Sequence, residues 1–469
     1  MSEKTDIGII GLGTMGQSLA RCFAEKEMRV VVYNPPVKEE DSTLETFIAN
    51  YDGDFVGTRD LSVFIELLDR PRIVHLMIKS GKPVDDYIEL LIPLLDEDDI
   101  IVDGGNSHFI DTQKRQTYLR KKGIHYVGMG ISGRKSKDSS GPSLMPGGPE
   151  EAKSWIIKLY SPIATKSKHT VIHWMGPQGT GHFAKMVHNG IQYAEMQLLA
   201  EACTFLRGLD LSYAQIASIF GEWNQSIIGS YLMQISSKIL NRKEGELYFI
   251  DMLEDKVSQS GTGKWMVETA IDLGVSIPSI ATAVDIRFQS LKKHKRKIIS
   301  DLTKNNKSIK STKKAKEIEE IKNAILSSRI LIYSQAIDLL KAANDTYGWK
   351  MPIPQLLNSW KEGSVIRSNI LENIETSVSS VETTEFLANS PVKRLLKESM
   401  PALTKTLMLS VQHGLAVPVM SASFQYYSLL SSKNLNLGLL QAQRDYFGAH
   451  GYERLDSTDG QLDYSDWNE

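Results

Sequence analysis

The sequence predicts an α/β Rossmann-like N-terminal domain, followed by a large all-α C-terminal domain with an extended C-terminal tail. Short apolar runs alternate with helical patterns in the first third of the chain, and a glycine-rich turn follows the first run. From about Gly179 onward, strand patterns give way to long helical ones. We therefore place the first domain at 1–178, the helical domain at 179–434 and the tail at 435–469.

The composition is typical of a globular protein with large cores, since 41% of the 469 residues are hydrophobic and 23% are charged. A net charge of −2 gives no global field for nucleic acid or anionic lipid. No apolar run approaches the ~18 residues that span a bilayer, and no signal peptide precedes the first strand. Two cysteines, Cys22 and Cys203, fit a reducing compartment. We expect a cytoplasmic protein without membrane or nucleic-acid partners.

The first glycine turn predicts a dinucleotide site. An apolar run at 6–10 is followed by Gly11-Leu-Gly-Thr-Met-Gly16, a helical pattern at 14–27 and a second apolar run at 28–34. Gly11 permits the tight turn, Gly13 lets backbone approach a pyrophosphate, and Gly16 lets the helix pack on the sheet. The helix N-terminus offers N–H groups to the phosphates. The candidate cofactor-binding residues of this turn are Gly11, Leu12, Gly13, Thr14, Met15 and Gly16.

Three further apolar runs predict strands of a parallel sheet, at 73–79, 100–103 and 125–131, with helical patterns between them, for example at 111–122. Ligands bind at the carboxyl ends of such strands. The polar turns there predict a wall for cofactor and substrate. Its candidate residues are Ile78, Lys79 and Ser80 after the first of these strands, Asn106 after the second, and Ser132, Gly133 and Arg134 after the third.

The second strand should end in the residue that selects the ribose. An Asp or Glu there favours NAD, whereas an Arg favours NADP. This chain has Asn34, Pro35 and Pro36 instead, so the choice between NADP and NAD stays open.

Residues 182–197 predict a helix with a polar stripe. Lys185, His188, Asn189 and Gln192 stand at i, i+3, i+4 and i+7 and so share one face. One cation, one imidazole and two amides indicate a wall of a polar substrate site. Gln192 lies where a proton-donating acid is expected, and an amide donates no proton at pH 7.

The remaining segments are predominantly helical. Residues 292–316 carry eleven Lys or Arg against one acid, which predicts a solvated helix end and loop rather than a nucleic-acid site, because no aromatic residues interleave with the charges. No spacing of Cys, His or carboxylates predicts a metal site. The clearest helical patterns are 216–222, 227–240, 263–273, 318–347, 392–413 and 419–430.

Several motifs in a fixed order give the chain a specific resemblance. They are Asp103-Gly-Gly-Asn106-Ser, Gly141-Pro-Ser-Leu-Met-Pro-Gly-Gly148, Lys185-Met-Val-His-Asn-Gly190, Gly261-Thr-Gly-Lys-Trp265, Ile366-Arg367-Ser368 and the segment from Arg444 to His450. Over essentially its whole length, the sequence resembles the 6-phosphogluconate dehydrogenase family, the decarboxylating enzymes of the pentose phosphate pathway.

The resemblance implies a homodimer in which the tail crosses to the partner subunit, so that Arg444 and His450 complete the partner's active site. It also implies a reaction. Lys185, neutral when it acts, takes the proton of the substrate's C3 hydroxyl while hydride passes to the nicotinamide of NADP or NAD. The 3-keto acid loses CO2, and an acid then protonates the enediol to give ribulose 5-phosphate. Burial and cationic neighbours lower a lysine pKa toward this role.

Carried over by position, the resemblance marks Asn106, Ser132, Gly133, His188, Asn189, Tyr193, Arg287, Arg444 and His450 as substrate contacts. Four positions depart from the family pattern. The family's acid Glu is Gln192, its phosphate-contacting Lys is Ser260, the second glycine of its Ser-Gly-Gly loop is Arg134, and the Arg of its NADP motif is Pro35.

These departures differ in their consequences. A missing proton donor costs ~10²–10⁴-fold in rate, and Glu195, the next carboxyl along the helix, lies roughly 60° off the stripe. Ser260 removes a phosphate contact worth roughly 1.5–3 kcal/mol. Arg134 brings a cation and bulk to a position where glycine lets backbone approach the ligand.

Three functions remain open on this sequence. The first is oxidative decarboxylation of 6-phosphogluconate with a slow or rerouted protonation. The second is NAD(P)-dependent oxidation of another sugar-acid phosphate or hydroxy acid, since oxidation by Lys185 needs no acid at position 192. The third is a non-catalytic dimeric binding or regulatory protein.

Overall fold

The computed structural model describes residues 4–35, 42–133, 141–164, 172–258, 261–303, 308–457 and 460–467. The chain divides into two compact units, Met1–Ser423 and Phe424–Glu469. The first unit combines a sheet and its covering helices with a large set of long helices.

Seven strands form the main sheet of the first unit. They are β1 (Ile7–Ile10), β2 (Val30–Tyr33), β3 (Phe55–Thr58), β4 (Ile73–Leu76), β5 (Ile100–Asp103), β6 (His125–Ser132) and β7 (Ser143–Gly147). Their order is β3-β2-β1-β4-β5-β6-β7. The order reverses between β1 and β4, and in open α/β sheets this reversal marks the ligand crevice at the carboxyl ends.

The predicted parallel sheet is confirmed, and β7 adds an antiparallel edge strand that pairs with β6 from Gly128↔Gly147 to Ser132↔Ser143. The sequence pattern did not predict β7, because Pro146 and its flanking glycines lower its strand propensity. It also missed β3, an edge strand whose residues remain partly exposed. The strand predicted over 73–79 ends at Leu76, so Ile78, Lys79 and Ser80 lie in the turn after it.

Both faces of the sheet are buried, as the continuous apolar runs predicted. Ile9 and Val32 belong to the core on one face, whereas Ile10 and Val31 belong to the core on the other, which follows from the two-residue repeat of a strand. The helices of this part are α1 (Thr14–Ala24), α2 (Thr43–Asn50), α3 (Leu61–Glu66), α4 (Lys82–Leu91), α5 (Phe109–Arg120) and α6 (Glu150–Tyr160).

The rest of the first unit is helical, apart from a two-stranded hairpin of β8 (Lys243–Glu244) and β9 (Leu247–Tyr248). The helices are α7 (Thr180–Gly208), α8 (Tyr213–Trp223), α9 (Tyr231–Asn241), α10 (Thr262–Asp272), α11 (Pro278–Ser290), α12 (Lys293–Thr303), α13 (Lys314–Tyr347), α14 (Ile353–Trp360), α15 (Leu371–Val378) and α16 (Val392–Gln412). A further helix, α17 (Pro418–Leu430), begins in this unit.

The six helical patterns all fall on helices, and their boundaries shift for local reasons. The pattern predicted from 227 begins as α9 only at Tyr231, because the Ser230 hydroxyl accepts the Met233 N–H at 3.1 Å and caps the helix there. The basic segment forms the exposed helix α12, where Arg296 pairs with Asp255 at 2.6 Å and Lys293 with Glu254 at 2.9 Å. These contacts agree with a solvated surface.

A buried ion pair joins α7 to α13. The Arg329 Nε atom lies 2.7 and 2.9 Å from the two carboxylate oxygens of Glu195, and its Nη1 donates to the Ile228 carbonyl at 2.8 Å. The side chains are 0% and 4% exposed. Because the two opposite charges are buried together, the pair fixes the spacing of the two longest helices described.

The second unit contains α18 (Gly438–Gly448) and the final segment of the chain. The Asp445 carboxylate organises it, accepting the N–H groups of Gly451 and Ser465 at 3.0 Å each and the indole N–H of Trp467 at 2.8 Å. Many large apolar side chains of this unit are nevertheless exposed. In the chain as described, no helix is both long and apolar enough to cross a membrane.

We predict that Arg329→Met lowers the free energy of unfolding by about 3–5 kcal/mol, because Glu195 is left as an uncompensated buried charge. Lys153→Met is the matched control. It removes a cation that pairs with Glu150 at 2.7 Å, where the two side chains are 44% and 72% exposed, and it should cost less than about 1 kcal/mol. Urea unfolding followed by circular dichroism measures both values. Equal losses in the two variants would contradict the role given to the buried pair.

Candidate active site

The first glycine turn has the form that phosphate binding requires. Gly11 adopts φ +99°, and a Cβ on Gly16 would lie 2.0 Å from the Gly11 carbonyl oxygen, so both positions exclude a side chain. Around Gly13, by contrast, no described heavy atom lies within 4 Å of a Cβ position. The N-terminus of α1 has no side-chain cap, which leaves its N–H groups available to an anion.

The end of β2 braces this turn. The Asn34 side-chain oxygen accepts the Leu12 N–H at 3.0 Å, and Gln17 donates to the Leu12 carbonyl at 2.8 Å. Asn34 is thereby committed to the glycine turn, and Pro35 supplies neither a charge nor an N–H group. Pro36 lies outside the described residues. Outside the glycine turn and the end of β2, the polar cofactor candidates are the half-buried Ser80 and the exposed Lys79 and Asn106.

Helix α7 approaches the sheet so closely that its first turn touches strand backbone. A Cβ on Gly181 would lie 2.1 Å from the Gly128 carbonyl oxygen, and one on Gly130 would lie 2.6 Å from the Lys185 Cβ. We call this contact of Gly128, Gly130 and Gly147 with the start of α7 the glycine seam. Because no side chain separates the two backbones there, Lys185 emerges beside the carboxyl end of β6.

Lys185 is the titratable group of this site that fits a general base. Burial lowers the pKa of its ammonium from the usual 10.5 to about 7, although the side chain keeps partial exposure. None of the described carboxylates forms an ion pair with it that would restore the charge. The neutral form of Lys185 is therefore well populated near pH 7.

His188 is held neutral one turn along the helix. Its Nε2 lies 2.8 Å from the Ser132 hydroxyl and 2.9 Å from the Ser364 hydroxyl, and its Nδ1 lies 3.1 Å from the Asn189 side-chain oxygen. Burial, with the nearby Lys185 charge, holds the pKa of His188 well below its usual range. With an amide oxygen beside Nδ1, the network assigns the proton to Nδ1, so the single lone pair of Nε2 is the acceptor for the two hydroxyls. Asn189 donates in turn to the Thr262 hydroxyl at 3.3 Å.

The predicted stripe is thus confirmed as a single helical face, and three of its four members are built into the site. Gln192 is half-buried, and its amide nitrogen lies 3.8 Å from the Met196 sulfur, a weak contact. Neither acid of α7 can replace the missing proton donor. Glu195 is paired with Arg329, and the Glu201 carboxylate accepts the N–H groups of Val419 and Met420 at 2.8 and 3.0 Å.

A second cation lies at the edge of the same helix. The Arg287 guanidinium stacks over the Tyr193 ring, 3.6 Å from its centroid, and donates to the Ser258 carbonyl at 2.9 Å. Ser260 and Arg134 lie outside the described residues. Arg444 and His450 belong to the second unit, where both are exposed and Arg444 donates to the Gln441 side chain at 3.2 Å.

The structure brings in residues that the sequence reasoning missed. Ser364 lies on the segment between α14 and α15, and the Val365 N–H donates to the Ser132 hydroxyl at 3.2 Å. A Cβ on Gly133, which has φ +75°, would lie 1.8 Å from the Gly363 carbonyl oxygen. The motif Ile366-Arg367-Ser368, two residues after Ser364, was the sequence feature that could have indicated that this segment belongs to the site. Within the described ranges, no group of three or more His, Cys, Asp or Glu side chains is placed to hold a metal ion.

Two family models together match nearly the whole chain. The NAD binding domain of 6-phosphogluconate dehydrogenase matches residues 6–176, and the C-terminal domain of 6-phosphogluconate dehydrogenase matches residues 181–467. The decarboxylating 6-phosphogluconate dehydrogenase of Lactococcus lactis is 37% identical over 462 residues, covering 97% of each chain. The NADP(+)-dependent enzyme of Bacillus subtilis is also 37% identical, with the same coverage.

A solved structure shows the same fold throughout. Plasmodium falciparum 6-phosphogluconate dehydrogenase, described in its apo form and in complex with NADP+ and with 6-phosphogluconate, superposes with a TM-score of 0.93 at 30% identity. The match covers 98% of this chain and 100% of that one. Together with the two domain matches, this shows that the chain belongs to the 6-phosphogluconate dehydrogenase family.

Proposed function

We propose that the chain catalyses the NAD(P)-dependent oxidative decarboxylation of 6-phosphogluconate to ribulose 5-phosphate. The observation that carries this proposal is Lys185, whose pKa is lowered to about 7 beside the neutral His188 network. A lysine in this state serves as a general base near neutral pH. The family's relatives support the substrate and reaction, since the curated ones carry this decarboxylating name.

The residues around the glycine turn fit a nicotinamide dinucleotide. The open space at Gly13 admits a pyrophosphate against backbone, and the uncapped α1 N-terminus offers it N–H groups. When bound, the nicotinamide ring accepts a hydride from the substrate. Both NADP and NAD are consistent with the residues at the end of β2. The Plasmodium falciparum enzyme was solved with NADP+.

In the oxidation step, neutral Lys185 removes the proton of the C3 hydroxyl while the C3 hydrogen departs as hydride, so C3 becomes a ketone. Ser132 and Asn189 are positioned by His188 to contact the polyol beside it. Because His188 is neutral, it adds no second charge that would hinder protonation of Lys185 during this step.

The ketone at C3 lies beta to the carboxylate, so the electrons of the breaking C1–C2 bond move into the ketone as CO2 leaves. The ammonium of Lys185 returns its proton to the C3 oxygen, which gives an enediol that needs a proton at C2 to become ribulose 5-phosphate. Gln192 supplies no proton, so water protonates C2 while the neutral Lys185 takes the proton of the enol hydroxyl. We expect this protonation to limit turnover.

Gln192 also favours a second candidate function, oxidation of a related sugar-acid phosphate whose product needs no protonation at this position. A non-catalytic role fits less well, because a lysine with a lowered pKa at the glycine seam serves no evident structural purpose. We assign substrate contacts to seven residues of the first unit: Asn106, Ser132, Gly133, His188, Asn189, Tyr193 and Arg287. Two further substrate positions, Arg134 and Ser260, differ in charge from the family pattern.

We further propose that the protein is a cytoplasmic homodimer in which 435–469 completes the partner's site through Arg444 and His450. The exposed apolar surface of the second unit supports a partner. Phe447 is 73% exposed, Tyr446 67% and Leu439 65%, on one helix that its own unit does not cover. The domains then act as 1–178 for the nucleotide and 179–434 for substrate and dimerisation.

We predict that purified protein, 6-phosphogluconate and NADP+ or NAD+ together produce reduced nucleotide and CO2 in equal amounts. Because the active form of Lys185 is the neutral one, kcat/KM should fall tenfold per pH unit below about 7 and level off above it. Nucleotide affinity, measured by calorimetry over the same range, is the control and should stay flat. Nucleotide binding without reduction or CO2 release would favour the second candidate function, and failure to bind either nucleotide would exclude both.

We predict that Gln192→Glu raises kcat, by up to the ~10²–10⁴-fold that a positioned proton donor contributes. Ala200→Glu is the matched control, since it adds the same charge to an exposed turn of the same helix. Steady-state release of CO2 and ribulose 5-phosphate measures the effect. An unchanged or lower kcat in Gln192→Glu would show that the pocket serves a different reaction.

We predict that a mixed dimer of two inactive variants regains activity, because the tail of one subunit completes the active site of the other. A homodimer of Lys185→Met and a homodimer of Arg444→Ala should each be nearly inactive. In the first, both active sites lack Lys185; in the second, both lack Arg444. After the two are unfolded and refolded together, a mixed dimer regains one complete site if Arg444 acts in the partner's site. Activity near that of the separate proteins would place Arg444 in the site of its own subunit. Mixed refolding of Lys185→Met with wild type is the control for assembly.

A further inference from the structure

Asp103, the last residue of β5, lies fully buried and binds the turn that follows it. Its carboxylate accepts the Gly105 N–H at 2.9 Å, the Ser107 hydroxyl at 2.6 Å and the Tyr126 hydroxyl at 2.7 Å. Burial opposes the charge, but the nearby His182 and these hydrogen bonds outweigh it and hold the pKa of Asp103 below its usual range. The turn that carries Asn106 is therefore anchored on both sides of that residue.

The same carboxylate is connected to the turn after β4 through Arg115 of α5. The Arg115 Nη1 lies 3.6 Å from Asp103, its Nε donates to Asp85 at 2.7 Å, and its Nη2 donates to the Gly81 carbonyl at 3.1 Å. Gly81 directly follows the turn formed by Ile78, Lys79 and Ser80. The buried pair of Asp103 and Arg115 thus connects the turn after β4 with the turn after β5, both of which are assigned to the cofactor.

The main chain of Asp103 reaches the other side of the site. Its carbonyl oxygen lies 3.0 Å from the Nε2 of His182, whose Nδ1 lies 2.6 Å from the Thr112 hydroxyl. A carbonyl only accepts, so Nε2 carries the proton and Nδ1 accepts from Thr112. His182 stands in the first turn of α7, three residues before Lys185, and so shares its side of the helix.

We propose that Asp103 is the positioning residue that sets the distance between the cofactor turns and Lys185. Its side chain fixes the turn of Asn106, and its carbonyl fixes the first turn of α7 through His182. The inference rests on the proposed function, because it concerns the alignment of substrate with nicotinamide. A buried charge is a costly way to gain stability alone, and its use here is explained by the orientation that it imposes.

Asp99 provides a matched control. It precedes β5 at the opposite end, is 1% exposed, and accepts the Arg72 N–H at 2.7 Å and the Arg72 Nη1 at 2.9 Å. We predict that Asp103→Asn lowers kcat/KM for 6-phosphogluconate by about 100-fold and weakens NADP+ binding measured by calorimetry, whereas Asp99→Asn changes neither by more than about twofold. The kcat/KM and the NADP+ affinity of both variants are measured at a temperature well below the melting temperature of each. Equal effects of the two substitutions would overturn the proposal.

A second pair of variants keeps the test decisive if Asp103→Asn fails to fold. His182→Gln retains an N–H near the Asp103 carbonyl, whereas His182→Leu removes it. We expect His182→Leu to lower kcat and raise the isotope effect of substrate deuterated at C3, with NADP+ affinity unchanged, and His182→Gln to restore most of kcat. Equal kcat values for Leu and Gln would overturn the proposal. If wild type binds NADP+ but does not oxidise 6-phosphogluconate, the proposed function fails instead.

Discussion

The glycine seam is the constraint on which the active site depends. A helix packed on a sheet normally keeps its backbone several ångströms away, because side chains separate the two. Here Gly128, Gly130, Gly147 and Gly181 remove those side chains, and a Cβ at any of them would lie within 3 Å of neighbouring atoms. The Lys185 side chain therefore begins close to the backbone of β6, near the carboxyl end of that strand. Burial there lowers the pKa of its ammonium to about 7.

The buried charged groups near the glycine seam fall into two kinds: carboxylates that hold the fold together, and Lys185, which is free for the reaction. Each buried carboxylate described above has a fixed structural partner: Asp103 holds a turn, Glu195 pairs with Arg329, and Glu201 caps α17. Lys185 has no such partner among the described acids. On α7, Lys185 is therefore left as the base, and both carboxylates, Glu195 and Glu201, are committed to structural contacts. Lys185 thus fits the base of the proposed oxidation, whereas the amide of Gln192 supplies no proton for the final protonation.

Much of this arrangement could be predicted from the sequence, because its signals are local. Apolar runs placed β1, β2, β5 and β6 within one or two residues, and the helical period placed the stripe of Lys185 and His188 on one face. Contacts between distant segments could not be predicted in this way. Ser364 reaches His188 across 176 residues, and Arg329 reaches Glu195 across 134, which no local pattern encodes. Edge strand β7 was missed because its pairing with β6, not its propensity, makes it a strand.

Lys185 loses its charge near pH 7, rather than near 10.5, because the glycine seam buries its ammonium. Nuclear magnetic resonance of protein labelled at the lysine Cε, with Lys185→Met used to assign the signal, measures its titration directly. We expect a midpoint near 7 for Lys185, well below the usual lysine value of 10.5. A Lys185 midpoint close to 10.5 would show that burial at the glycine seam does not lower its pKa.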